Sequence, residues 1–122
     1  MINTKITIVC THGRNLSKYL KEHLMEKGIK SHAVGLYFKN LATIQKIKNA
    51  KTIICVHPEI QKEVEAEFDL TKKYVICLNV SDCPNESVTS KNLTGDVWLE
   101  YQKEYVYPAL ESQIKKYLKK LA

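Results

Sequence analysis

The chain has 122 residues, of which 44% are hydrophobic and 26% charged. This composition is typical of one globular domain, here residues 1–122. No apolar run approaches the ~20 residues that a membrane span needs, and the N-terminus lacks the apolar segment of a signal peptide, so we expect a cytoplasmic protein with no membrane partner. The net charge of +6 allows an anionic partner, but nucleic acid is not expected, because no arginine-rich patch appears.

The first predicted element is a strand, Ile6 to Val9, that ends at Cys10. Small and polar residues follow, Gly13 among them, and a helical pattern begins near Asn15 to Ser17. The amides of such a loop and the positive end of the helix dipole favour an anion, and the same field stabilises a thiolate over a thiol. The stretch therefore predicts that Cys10 is a nucleophile facing an oxyanion of the size of phosphate.

The first helix is amphipathic, begins with Asn15 or Ser17 as its N-cap and ends at Gly28. Ile29 to Val34 then predicts a short, partly polar strand at the edge of the sheet. A short second helix follows. Its apolar positions, which place it on the sheet, are Leu41, Ile44 and Ile47.

Two further strands, Thr52 to Val56 and Tyr74 to Leu78, are apolar throughout, and the first of them is expected at the sheet centre. Between them lies a helix with Pro58 in its first turn. A loop rich in turn-forming residues runs from Asn79 to about Gly95. The tail after this loop is one helix or two, because Pro108 should kink or divide it. Its predicted buried stripe consists of Val97, Tyr101, Tyr105, Leu110, Ile114, Tyr117 and Leu121.

Strands that alternate with helices and are buried on both faces predict a parallel sheet of four strands in an α/β sandwich. Ligands of such sheets bind beyond the carboxyl ends of the strands. Here these ends bring together the loop after Cys10, the turn at His57 and the loop that contains Asp82. We therefore expect the functional site at this edge of the sheet.

Four side chains around Cys10 each have a chemical and an ordinary structural interpretation. Asp82 protonates a leaving oxygen and later activates water, or it only caps a turn. Arg14 grips two phosphate oxygens, or it is exposed to solvent. Ser17 donates a hydrogen bond to the cysteine sulfur, or it caps the helix. His12 helps to hold the anion, or it is an exposed loop residue.

Other residues are assigned to structure. His57 is expected to cap a helix, and the aromatic residues of the tail are expected to pack, with Trp98 as a further candidate for a pocket wall. Cys55 and Cys77 lie in apolar strands, where cysteine acts as a small hydrophobe, so no disulfide scaffold is expected. The histidines and cysteines do not stand at metal-ligand spacing, and neither a metal nor another cofactor is predicted.

In order and spacing, the chain resembles the low-molecular-weight protein tyrosine phosphatase family in its short microbial form. The likeness rests on Ile8-Val-Cys-Thr11 at the end of the first strand, on Ser17 seven residues after the cysteine, and on Gly28-Ile29 before the second strand. It continues through residues 49–54 and through Val75-Ile-Cys-Leu-Asn-Val-Ser-Asp82, and it extends to about residue 110.

The resemblance implies a three-layer α/β sandwich with strand order 2-1-3-4 and a reaction through a phosphocysteine. It implies a phosphorylated protein or a small phosphate ester as partner, for example one that carries phosphotyrosine. No feature of the sequence indicates an oligomeric state. The expected catalytic residues are Cys10 as nucleophile, Asp82 as general acid, and Arg14. The implied phosphate-binding loop consists of Thr11, His12, Gly13, Arg14, Asn15, Leu16 and Ser17.

The chain departs from the family motif at the position of the loop arginine, and the family's loop asparagine is not in its usual place either. The motif has arginine six residues after the cysteine, where this chain has Leu16, and the only arginine of the loop is Arg14. Either Arg14 acts from a remodelled loop, or the domain has lost its chemistry and binds an anion or a partner protein.

Two further families share parts of the pattern. The enzyme IIB components of the sugar phosphotransferase system are phosphocarriers, and they share the spacing of Cys10, Gly13 and Ser17 without needing a loop arginine. The thioredoxin-coupled arsenate reductases use additional cysteines, and Cys55-Val-His resembles one of those positions. The loop around Asp82 and the long tail are more similar to the phosphatases.

Overall fold

A parallel sheet of four strands forms the centre of the protein, and the computed structural model describes residues 5–11, 15–37, 40–80 and 99–121. The strands are β1 (Ile6–Cys10), β2 (His32–Gly35), β3 (Thr52–Cys55) and β4 (Tyr74–Cys77). They lie in the order β2-β1-β3-β4, and each neighbouring pair is parallel. The predicted α/β class and strand order are therefore confirmed.

Helices connect consecutive strands and form the tail. The connecting helices are α1 (Leu16–Glu26), α2 (Leu41–Asn49) and α3 (Pro58–Glu67). From residue 102 onward, the tail consists of a π-helical turn (Gln102–Val106), α4 (Tyr107–Ile114), a 3-10 turn (Lys115–Tyr117) and α5 (Leu118–Leu121). Within the described ranges, no helix combines the length and the apolar character that crossing a membrane requires.

The helices cover both faces of the sheet. The chain steps from β1 to β2 in one direction and from β2 through β3 to β4 in the other, so right-handed crossovers place α1 opposite α2 and α3. Side chains agree with this placement. Thr7 donates a hydrogen bond to the Lys46 carbonyl of α2 at 2.8 Å, whereas Cys10, on the other face of β1, contacts Ser17 of α1. Helix α4 packs against α1 and lies on the Cys10 side.

The two central strands are almost wholly buried, because each is paired on both edges and covered on both faces. Ile8 and Val9 of β1 and Ile53 and Ile54 of β3 are each 0% exposed. Burying one such side chain contributes roughly 1.5–3 kcal/mol. The strand that ends at Cys10 is therefore one of the most firmly held parts of the chain.

Helix α1 ends in a Schellman motif, as the position of Gly28 predicts. Gly28 has a φ of 80°, a conformation that glycine adopts without steric cost. Its N–H donates to the Met25 carbonyl, and the N–H of Ile29 donates to the Leu24 carbonyl, both at 2.9 Å, which is the bonding pattern of that motif. The turn leads into β2, which begins at His32 and lies at the sheet edge, as expected.

Helix α2 differs from its predicted contact pattern. Its N-cap is Asn40, whose side-chain oxygen accepts a hydrogen bond from the Thr43 N–H at 2.9 Å. Thr43 and Ile47 are its buried residues, whereas Leu41 is 70% exposed. Leu41 is the first residue of the helix and lies at its exposed end. The apolar spacing that includes Leu41 therefore predicts a longer contact between α2 and the sheet than the structure has.

The buried stripe of the tail also differs from the prediction. Positions after Pro108 are buried or half-buried as expected, but Tyr105 is 61% exposed, while Gln102 and Val106 are buried. The turn before Pro108 is π-helical, with i→i+5 bonding, and such a turn contains more residues than an α-helical one. A stripe with a constant helical period therefore cannot continue through it, and Pro108 marks a change of helix geometry.

We expect Leu24→Ala to lower the free energy of unfolding by about 2–5 kcal/mol, because Leu24 is 0% exposed and its loss leaves a cavity between α1 and the sheet. The neighbouring Met25 is 48% exposed, so Met25→Ala is the matched control and should cost less than about 1 kcal/mol. Urea denaturation of both variants measures the difference. Equal losses would contradict the packing described here.

Candidate functional site

The Cys10 thiol lies at the carboxyl end of β1 and faces the first turn of α1. Its Sγ atom is 3.0 Å from the Ser17 hydroxyl oxygen, and the two residues are 5% and 0% exposed. When Cys10 is a thiolate, the hydroxyl is the donor of this hydrogen bond. No acidic residue stands in the first turn of α1, so the positive end of the helix dipole acts on the sulfur without an opposing charge there.

Sheet-like pairing continues beyond the strands on the β2 side of the cysteine. The N–H of Leu36 donates to the Cys10 carbonyl at 3.0 Å, and the N–H of Tyr37 donates to the Thr11 carbonyl at 2.7 Å. Val56 on the other side donates to Val9 at 3.3 Å. The start of the loop is thus fixed by hydrogen bonds to both neighbouring strand exits.

The end of the loop is held by Asn15, the N-cap of α1. Its side chain makes no capping bond. Instead, its Nδ2 donates to Gln102 Oε1 at 2.7 Å, and its Oδ1 accepts from the Tyr107 hydroxyl at 2.6 Å. Asn15, one of the two residues that the sequence predicts as the cap, occupies that position, but its amide binds the tail. The other candidate, Ser17, contacts the cysteine.

A stacked tyrosine pair extends this contact between α1 and α4. The rings of Tyr19 and Tyr107 are parallel to within 1°, with centroids 3.9 Å apart. The Tyr19 hydroxyl donates a hydrogen bond to the Glu111 carboxylate, and Nδ1 of His23 lies 3.9 Å from the same carboxylate. The hydrogen bond to Glu111, followed by burial and the charge of Glu111, raises the pKa of Tyr19 to about 12.

Leu16, the residue at the arginine position of the phosphatase motif, is 5% exposed and belongs to the hydrophobic core. Its side chain therefore contributes packing at the loop–helix junction and no positive charge. Thr11 is exposed and lines a groove of about 490 Å³. The other lining residues are Leu36, Tyr37, Glu63, Ala66 and Glu67.

Several predicted site residues lie outside the described residues: His12, Gly13, Arg14, Asp82, Trp98 and, in the predicted tail stripe, Val97. The chain enters the segment that contains Asp82 at the same sheet edge as Cys10. The N–H of Val80 donates to the Val56 carbonyl at 2.9 Å. The Gln113 side chain of α4 bonds both the N–H and the carbonyl of Asn79, at 2.7 and 3.1 Å.

The remaining candidates have structural roles. His57 is the N-cap of α3, and its Nδ1 accepts a hydrogen bond from the Glu59 N–H at 3.1 Å, as expected. Cys55 and Cys77 are register partners on β3 and β4 and are free thiols. Burial, reinforced by the nearby Cys77, raises the pKa of the Cys55 thiol to about 12, so Cys55 is a poor attacking thiol at neutral pH. The described residues contain no group of three or more His, Cys, Asp or Glu arranged to hold a metal ion.

Gln102 and Tyr107 are the site contacts that sequence reasoning did not assign. The sequence predicts only packing for Tyr107, and Gln102 carries no local signal of burial because it is a glutamine among polar residues. Pro108 and the five-residue step from Tyr105 to Leu110 in the predicted stripe are the sequence features that point to a change of geometry there.

Comparisons of the chain with protein-family models, with curated proteins and with solved structures found no match. The interpretation of the site therefore depends on its geometry and on the motif spacing of the sequence.

We expect Ser17→Ala to slow the alkylation of Cys10 by iodoacetamide roughly tenfold at about pH 7, because the hydroxyl hydrogen bond stabilises the thiolate. Peptide mass spectrometry measures the rate for Cys10 separately from the other cysteines. Ser112→Ala, an exposed serine of α4, serves as the matched control and should leave the rate unchanged. An unchanged rate in Ser17→Ala would show that the contact does not favour the thiolate.

Because the pKa of Tyr19 is raised in the folded protein, we expect Tyr19 to contribute to the free energy of unfolding at neutral pH and to lose this contribution at alkaline pH. The folded protein favours the neutral phenol, so the contribution is complete below about pH 10 and is lost as the pH rises through about 12. The difference in unfolding free energy between wild type and Tyr19→Phe, measured in urea at several pH values, should shrink over this window. A pH-independent difference, or an equal trend for the exposed Tyr105→Phe, would contradict this assignment.

Proposed function

We propose that the chain is a cysteine-dependent, phosphatase-like protein that hydrolyses aryl phosphates such as phosphotyrosine. The observation that carries the proposal is the buried Cys10 thiol, 3.0 Å from the Ser17 hydroxyl at the N-terminus of α1. The strand order β2-β1-β3-β4 is the order implied by the resemblance to low-molecular-weight protein tyrosine phosphatases, and it supports the same proposal.

In the proposed reaction, the Cys10 thiolate attacks phosphorus and forms an S–P bond while the P–O bond to the aryl group breaks. Asp82 gives its proton to the leaving oxygen. A water molecule then attacks phosphorus, its proton goes to Asp82, and the S–P bond breaks to release phosphate and the thiolate. The Ser17 hydroxyl stabilises the thiolate at the start and at the end of this cycle.

The charge that a motif arginine supplies must come from elsewhere in this chain. Leu16 is in the core, so we assign the role to Arg14, together with the loop amides and the N-terminus of α1. The groove beside Thr11 offers room for the part of the substrate that carries the phosphate. Its exposed Tyr37 (70% exposed) can pack against an aromatic ring, and Glu63 and Glu67 favour basic residues in a peptide substrate.

A second candidate function is phosphate transfer of the enzyme IIB type. The burial of Leu16 favours it, because a phosphocarrier needs a cysteine and loop donors but no arginine. In that case the phosphate stays on Cys10 until an acceptor takes it. A third reading, binding of an anion or a partner without chemistry, also agrees with an apolar residue at this position.

The test is hydrolysis of p-nitrophenyl phosphate between about pH 5 and pH 7. We expect turnover that Cys10→Ser abolishes and that Asp82→Asn lowers roughly 10²- to 10⁴-fold, because general-acid catalysis contributes that much. Cys77→Ser, a substitution in β4 away from the loop, is the matched control and should leave the rate unchanged.

Turnover that is absent, or that persists in Cys10→Ser, would contradict cysteine-dependent hydrolysis. Phosphocysteine on Cys10 after incubation with a phosphorylated upstream carrier would then support the phosphocarrier. Phosphate or vanadate affinity that Asp82→Asn leaves unchanged, with no turnover and no phosphocysteine, would support binding alone.

A further inference from the structure

We propose that Gln102 and Tyr107 are positioning residues for the anion-binding loop, because they hold the Asn15 side chain from both ends. The inference rests on the proposed function insofar as the loop is taken to bind phosphate. It adds the tail of the chain to the proposed functional unit.

The Asn15 amide is held by a donor and an acceptor that together fix its position. Its Nδ2 donates to Gln102 Oε1 at 2.7 Å, and its Oδ1 accepts from the Tyr107 hydroxyl at 2.6 Å. Gln102 is 0% exposed, so the bond that its side chain accepts from Asn15 is costly to lose. Because Asn15 is the residue where the loop joins α1, the two bonds fix the end of the loop.

The π-helical turn explains how two residues of one helix reach the same amide. Gln102 and Tyr107 are five residues apart, and the Tyr107 N–H donates to the Gln102 carbonyl. In an α-helix, five residues span about 500°, which leaves the two side chains about 140° apart around the axis. In an i→i+5 turn they lie one above the other. Pro108 favours this geometry because it lacks the N–H of an ordinary helical bond to Glu104.

Helix α1 braces Tyr107 from the side. The Tyr107 ring is stacked on Tyr19, whose hydroxyl donates to Glu111. The N–H of Tyr19 also donates to the Asn15 carbonyl at 2.9 Å. The contact between the tail and α1 therefore covers the first two turns of α1 and reaches Asn15, the residue next to the loop. A tail that only covered the sheet would not need a hydrogen bond to Asn15.

The test measures the loop without requiring turnover. Inorganic phosphate is added at increasing concentration, and the alkylation of Cys10 by iodoacetamide is followed by peptide mass spectrometry. We expect Tyr107→Phe, which keeps the stacked ring, and Gln102→Met each to raise the phosphate concentration that halves alkylation roughly threefold to tenfold. In the hydrolysis assay, kcat should fall more than KM rises, because a positioned loop stabilises the transition state more than the ground state.

Matched controls and a double-mutant cycle separate positioning from general loss of structure. Tyr105→Phe and Gln45→Met make the same chemical changes at exposed positions and should leave both readouts unchanged. In the Asn15→Ala background, adding Tyr107→Phe should cause no further loss, because the tyrosine acts through the asparagine. If Gln102→Met does not fold, the result for Tyr107→Phe alone tests the inference.

Three results would overturn the inference. The first is that phosphate fails to slow the alkylation of wild-type Cys10. The second is a folded Tyr107→Phe or Gln102→Met variant that phosphate protects as well as the wild type, and the third is a Tyr107→Phe effect on protection that is as large in the Asn15→Ala background as in the wild type. Failure of the proposed function gives a different result. In that case phosphate still protects wild-type Cys10 and the variants weaken the protection, but p-nitrophenyl phosphate is not hydrolysed.

Discussion

The parallel pairing of β1 with β2 on one edge and β3 on the other is the constraint on which the rest of the structure depends. It buries Ile8 and Val9 completely, and it brings the exits of three strands to one edge of the sheet. The pairing continues past Cys10 through the bonds of Leu36 and Tyr37. A loop that follows such a strand begins from a fixed point, which is a condition for holding a reactive thiol in a defined direction.

Much of this framework could be predicted because its signals are local. Gly28 ends α1 because only a few residues adopt its positive φ, and Pro58 opens α3 because the first turn does not need its missing N–H. The apolar runs of β1 and β3 indicate burial on both faces. Each of these features follows from the conformational preference of a residue or from a short spacing, and each is confirmed.

The contacts of the tail could not be predicted, because they join residues far apart in the chain. The bonds from Asn15 to Gln102 and from Tyr107 to Asn15 span 87 and 92 positions. A constant helical period also fails at the π-helical turn, which exposes Tyr105. For the site, the cysteine and Ser17 could be placed from their spacing, but the partner of Asn15 depends on the packing of two helices.

Leu16 and the tail contacts address the same physical requirement in different ways. An arginine in an anion-binding loop supplies charge and, through its hydrogen bonds, also orders the loop. A core leucine supplies neither at this position, although it anchors the start of α1 by packing. Backbone amides can stabilise an oxyanion only if their directions are fixed before the anion arrives. In this chain the β-sheet holds Thr11 through the bond from Tyr37, and Gln102 and Tyr107 hold the Asn15 amide. Under the proposed function, these contacts from the tail would take over part of the ordering that a motif arginine provides in an anion-binding loop.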